Sequence, residues 1–333
     1  MTVSRRGADW RFRFAAQRTT LSALIVFVVI FALYGLNHES GFSPNVLQTA
    51  ANKGVLLALV AVAQTFVVLT GGIDLSVGAT FILADCLAST IVLGSPLMTG
   101  LGIAGVLAAG LACGLANGLL VVYGRLQPIV ATIATGAIYF GFALLLRPNP
   151  GGDVNADLAD AVTGQLTGGI PTSTVVLAAI MLLVWVPFRR SFWGRAVYAV
   201  GSSEPSAYMS GLPIGSAKLL AYGLAGLFSA LGGLMLAFIT YSGEASSSNA
   251  ATYTLNSIAA VVIGGVSLFG GSGSAIGAIF GAFIFRTIND LLFVFNLDPL
   301  WQPLFLGFVL LGAVSLGAVR LLRLRNRLDL FDR

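Results

Sequence analysis

The chain has 333 residues, 57% of them hydrophobic and 9% charged, whereas soluble domains carry about 25% charged residues. That composition excludes a soluble enzyme or binding domain and defines an integral membrane protein. His38 is the single histidine, and Cys86 and Cys113 both fall inside apolar runs. No metal site is therefore expected, and the net charge of +5 has to be located along the chain before it is given a partner.

A helix rises about 1.5 Å per residue and needs roughly 20 apolar residues to cross the hydrocarbon, so about ten spans fit. The apolar runs are 20–36, 54–70, 78–94, 99–122, 129–146, 171–187, 217–241, 253–267, 275–292 and 303–319. They are too long and too continuous for the alternating strands of an outer-membrane barrel. The expected fold is all-α and polytopic, about ten transmembrane helices with broken or re-entrant segments.

Residues 1–19 form a basic segment in which Trp10, Phe12 and Phe14 alternate with Arg11 and Arg13, a composition suited to the headgroup layer. The run at 20–36 reads as a retained first span, since no clear small-x-small cleavage site follows Leu36. After the second run comes Gly71-Gly72-Ile73-Asp74-Leu75-Ser76-Val77-Gly78. In hydrocarbon every backbone polar group needs a partner, so such a break is tolerated only inside protein or along a watery cavity. Broken helices of this kind mark transport paths.

In the fourth run, Gly110, Gly114 and Gly118 have the spacing of close helix packing. The loop from Pro148 to Gly169 carries Asp153, Asp157 and Asp160, and residues 188–216 form a long polar, partly helical connection. A second glycine-rich break, at Gly264, Gly265, Gly270, Gly271 and Gly273, precedes the ninth run. Leu69 to Phe81 aligns with Leu268 to Phe280, so the two breaks could be equivalent and face one another across a pathway; glycine-rich membrane sequence also self-aligns by chance.

With the N-terminus inside, the cytoplasmic pieces hold Arg5, Arg6, Arg11, Arg13, Arg18, Arg125, Arg189, Arg190, Arg195, Lys218 and the arginines of the 320–333 tail. Only Lys53 and Arg147 fall outside. Both termini are thus expected in the cytoplasm by the positive-inside rule, with 20–319 as the permeating domain. The positive charge faces the bilayer and its cytoplasmic surface, and no nucleic-acid partner is expected.

Three blocks then carry a resemblance: GGIDLSVG at 71–78, Gly194-Arg195 through Gly201 to Ser210-Gly211-Leu212, and IAAVVIGGVSLFGGSGSAIGA at 258–278, joined by Leu126 to Thr132. In this order and spacing the chain resembles the sugar permeases of ATP-binding-cassette importers, the group with ribose, xylose and galactofuranose permeases. The resemblance implies a pore-forming subunit in the bacterial inner membrane, paired with an identical or different second permease and fed by a periplasmic sugar-binding protein. An ATPase subunit holding ATP and Mg would drive it. The chain itself has no G-x-x-x-x-G-K-[ST] phosphate loop, so it is expected to carry no cofactor and not to be an enzyme.

By the same resemblance Gly194, Arg195, Gly201, Glu204, Ser206, Ala207, Ser210 and Gly211 would couple to the ATPase. Pro205 departs from the family's usual N-x-x-A-A block and marks a helix start. Thr254-Leu255-Asn256 and the uncharged Ser272 and Ser274 also depart from it, which suits a heteromeric permease whose other half keeps the charges.

Gln64, Thr65, Asp74, Ser76, Asp85, Asn117, Thr132 and Asn256 are the candidate pathway groups; the neutral Gln64, Thr65, Asn117, Thr132 and Asn256 suit passing a hydroxylated solute without trapping it, or else bond between helices. Asp74 has two readings: an intramembrane functional carboxyl, or a cap on the following helix with Ser76 assisting. Asp85 could meet a sugar hydroxyl, pair with a neighbour or stay protonated. Arg286 and Asp290 are spaced as an i,i+4 helix pair. A proton- or sodium-coupled transporter is the alternative function, and the few buried ionisable groups give it little to work with.

Overall fold

The computed structural model describes residues 5–301 and, beyond them, single helical positions between 304 and 315; side chains before Thr19 are not described. The predicted tail 320–333 and residues 1–4 lie outside the described residues. Thirteen α-helices are described in full: α1 (Arg5–Asn37), α2 (Pro44–Leu69), α3 (Val77–Ile91), α4 (Pro96–Val122), α5 (Pro128–Leu146), α6 (Ala156–Thr163), α7 (Thr172–Ile180), α8 (Val186–Arg190), α9 (Phe192–Ser202), α10 (Glu204–Met209), α11 (Ile214–Thr240), α12 (Ser247–Ile263) and α13 (Ala275–Val294). A two-residue antiparallel hairpin, β1 (Gln165–Leu166) with β2 (Ile170–Pro171), sits between α6 and α7.

The helix starts follow from local chemistry. Pro44, Pro96 and Pro128 open α2, α4 and α5, where the missing N–H costs nothing. Ser191, Ser203 and Ser246 cap α9, α10 and α12 through their hydroxyls. Helices α7 and α8 form one apolar rod interrupted by a π turn at Met181–Trp185. Pro187 lies just beyond, and the wider turn relieves the clash its ring makes with the preceding carbonyls.

Among the described residues, seven helical segments are long and apolar enough to cross a bilayer. At about 1.5 Å per residue, α3 (15 residues) reaches about 22 Å and α12 (17 residues) about 25 Å, less than a full crossing. These two short helices flank the two breaks.

Helix α2 is the central post: 89% of its best window is buried, with α11, α12 and α13 packed around it. Phe66, Trp185, Phe188 and Phe228 interlock beside it. By contrast α1 turns Ile25, Val28, Leu33 and Leu36 outward, as a lipid-facing helix does.

The glycine spacing on α4 works as expected. A side chain at Gly114 would collide with the Tyr222 carbonyl of α11, and one at Gly110 would lie 2.6 Å from the Gly226 carbonyl oxygen. We expect Gly114→Ala to cost about 1–3 kcal/mol through overpacking, read as earlier unfolding in a denaturant titration in detergent. Gly100→Ala, facing open space, should not destabilise the chain.

Candidate functional site: two helix breaks and the segment that touches them

At the first break α2 stops at Leu69, and the N–H groups of Thr70 and Gly71 fold back onto Val67 and Val68. Gly71 adopts φ +82°, a left-handed conformation that a side chain would strain. The chain then runs irregularly to Val77, and its polar groups are met by side chains from three helices.

Asp74, 2% exposed, organises this knot. Its Oδ1 accepts the Ser76 N–H at 2.8 Å and the Ser76 hydroxyl at 2.7 Å. Asn117 on α4 donates to Ser76 Oγ at 2.7 Å and to Asp74 Oδ2 at 3.5 Å. Tyr139 on α5 in turn donates to Asn117 Oδ1 and to the Cys113 carbonyl, at 3.1 and 2.9 Å. With its amide oriented by its partners, Gln64 on α2 donates to the Asp74 carbonyl and accepts the Asp74 N–H. Thr132 accepts the Leu75 N–H at 2.9 Å.

Asp74 is a buried carboxyl that takes the Ser76 N–H inside the break. The expected cap on α3 is not supplied by Asp74 or Ser76: the N–H of Gly78 goes to Thr254 Oγ1 of α12 at 3.1 Å. That reach from a distant helix has no local signal in the sequence. Gly78 itself lies in the first turn of α3, not in the break, and its bare Cα admits the Ala250 carbonyl of α12.

The remaining candidates separate. Thr65, fully buried, bonds to the Ala61 carbonyl of its own helix. Asn256 is half-buried on α12. Asp85 sits midway along α3, where Oδ2 accepts the Glu244 N–H at 3.0 Å and Oδ1 is buried with no partner among the described residues. Close by, Arg147 donates to the Ser89 carbonyl and hydroxyl, and Gly151 bridges Gly243. Asp85 thus belongs to the loop packing beyond α11. Arg147→Ala should lower stability by about 1–3 kcal/mol, the cost of buried partners left unmade, measurable by the same denaturant titration.

The second break runs from Gly264, which ends α12, to Ser274, which caps α13. Gly265, Gly270, Gly271 and Gly273 all have positive φ. The expectation that the breaks face one another over a gap is corrected by direct contact: the Gly271 N–H donates to the Leu69 carbonyl at 3.1 Å.

A third element completes this junction. Gly201, near the end of α9, lies against both breaks; a Cβ there would collide with the Leu69 carbonyl and lie 2.6 Å from the Gly271 nitrogen. Tyr198 donates its hydroxyl to the Gly273 carbonyl at 2.7 Å, and Ser202 reaches the Gly271 carbonyl at 3.5 Å. Burial lifts the pKa of that tyrosine, so it remains a donor at neutral pH.

The coupling candidates divide by face. Gly194, Gly201 and Ala207 pack inward, while Arg195, Glu204, Ser206, Ser210 and Gly211 are exposed. Helix α10 begins one residue before Pro205, as its helix-start role requires. Tyr208 and Met209, 75% and 87% exposed, stand with them as large apolar groups in a polar segment. They are not among the sequence-derived candidates.

A helical membrane protein with two glycine breaks joined at one end, under an amphipathic two-helix segment, has the build of a transport permease. Residues 46–314 match the family described as branched-chain amino acid transport system / permease component, and the chain belongs to that family. It is 31% identical over 317 residues to the ribose import permease protein RbsC of Bacillus subtilis (strain 168), covering 92% of this chain and 95% of the relative. Over 296 residues it is 31% identical to RbsC of Escherichia coli (strain K12), covering 88% and 91%. The autoinducer 2 import system permease protein LsrC of Yersinia pestis (strain Pestoides F) is 33% identical over 301 residues, covering 88% and 83%. No solved structure matches the chain. The protein is a multi-pass membrane permease subunit and not an enzyme; the ion-coupled alternative is not favoured.

Proposed function

We propose that this permease imports a monosaccharide across the bacterial inner membrane. It would receive the sugar from a periplasmic binding protein, work as half of a permease dimer, and be powered by ATP and Mg held on separate ATPase subunits. The observation that carries the mechanism is Gly201: the inner face of α9 touches Leu69 of one break and Gly271 of the other. Docking of an ATPase on the outer face, through Tyr208, Met209 and Glu204, moves α9, and α9 moves both breaks together. The Glu204–Lys218 ion pair at 2.7 Å holds α10 to the base of α11.

In this reading Gln64, Asp74, Ser76, Asn117 and Thr132 shape the pathway by holding the first break rigid, and half-buried Asn256 is left to face the sugar. The sugar class rests on the relatives named for ribose and autoinducer 2 import. The test is uptake of radiolabelled ribose by vesicles holding this chain with its ATPase and binding protein. Uptake that needs all three supports the proposal; uptake driven by a proton or sodium gradient through this chain alone overturns it. Replacing Met209 with Asp should lower ATPase co-purification several-fold while leaving the fold intact, since Met209 contacts little within its own chain.

A further inference from the structure

A second polar feature, at the far end of α13 from the breaks, takes no part in the mechanism above. Arg286 and Lys53 converge on a single oxygen of Asp290, at 3.1 and 3.5 Å. Asp290 is largely buried, its side chain 10% exposed, whereas Lys53 keeps 42%. Two cations on one carboxylate leave one positive charge unmatched, and Arg286 Nε is buried with no partner among the described residues. An unmatched cation at membrane depth is costly, so an anion beside it is favoured.

Two clefts meet at this cluster and share Tyr34 and Asp290. One, about 310 Å³, carries the polar groups of His38, Asn45, Thr49 and Lys53 on a wall that also includes Val46 and Phe293. The other, about 180 Å³, runs between Phe27, Phe31, Leu47 and Phe283, walls of α1, α2 and α13. Helix α1 is buried over only 17% of its span, so the apolar cleft lies beneath a helix whose outer side meets lipid. Asp290 is four residues from the end of α13, about 6 Å of helix rise. The charged cluster thus lies near one end of the helix, and the apolar cleft reaches back from it toward the helix middle at Phe27 and Phe283.

We infer that this double cleft binds an anionic phospholipid, its phosphate against Lys53 and Arg286 and an acyl chain between Phe27 and Phe283. The charge calls for an anion, and the apolar arm beside it calls for a chain.

The test is native mass spectrometry of the full chain in detergent, titrated with phosphatidylglycerol or phosphatidylcholine of the same acyl composition. The wild type should prefer phosphatidylglycerol by about fivefold, the contribution of one basic residue near a membrane surface. Lys53→Gln should abolish that preference while leaving the Arg286–Asp290 pair in place, and Asp290→Asn should retain or raise it. Equal binding of the two lipids by the wild type, or an unchanged preference in Lys53→Gln, would overturn the site. Inorganic phosphate that displaces the lipid at millimolar concentration would mark a soluble-anion site and also refute it.

Discussion

Replacing Gly201 with valine is expected to reduce ATP-driven uptake at least about tenfold while the protein still inserts and binds its ATPase. The branched side chain cannot enter the space between the Leu69 carbonyl and the Gly271 nitrogen. Overpacking of this kind costs about 1–3 kcal/mol when it must be absorbed in place. Here it need not be absorbed in place, because α9 can lift away from the breaks, trading its contacts for relief of the clash. The expected signature is uncoupling: ATP hydrolysis continues in vesicles, and sugar uptake does not follow it. Tyr198→Phe removes the bond to Gly273 without adding volume, so it should give a milder form of the same split. Loss of uptake and hydrolysis together in both variants would mean that α9 serves only to dock, and the junction with the breaks would lose its proposed role.

The legible part of this molecule was carried by local patterns. Apolar runs of helical length placed the long helices, and the Gly71-Gly72 and Gly270-Gly271 pairs marked both breaks, because left-handed turns favour glycine wherever they occur. The four-residue spacing of Gly110, Gly114 and Gly118 told of close packing without naming α11 as the partner. What escaped was contact between segments far apart in the chain. Gly201 meets Leu69 from 132 positions away and Gly271 from 70, and nothing in the sequence around any of the three points to the other two. Thr254 caps α3 from the middle of an apolar helix, and Lys53, read only as an exception to the charge bias, joins Asp290 from another helix. The short α6 and its hairpin were read only as an acidic loop, since eight residues with a single cap resemble any polar connection.

Asp74→Ala should be among the most destabilising single changes in the chain. It strands the Ser76 N–H, the Ser76 hydroxyl and part of the Asn117 amide in a region where Gln64, Ser76, Asn117 and Thr132 are all buried to 1% exposure or less. Water reaches none of these groups easily, and each unsatisfied one costs about 1–3 kcal/mol, so a loss of about 3 kcal/mol is expected. Asp74→Asn separates charge from geometry: it keeps an acceptor for Ser76 but turns an amide N–H toward the N–H of Asn117. The exchange Asp74→Asn with Asn117→Asp returns one carboxylate and one amide to the same pair of positions. We expect it to recover at least about 1 kcal/mol relative to the sum of the single changes, a coupling typical of directly bonded residues. The measurement is a double-mutant cycle on unfolding midpoints in detergent, with uptake assayed in parallel. Strict additivity would show that Asp74 and Asn117 act separately, and the first break would then be held without the α4 contact, by Gln64, Thr132 and the Asp74–Ser76 bonds.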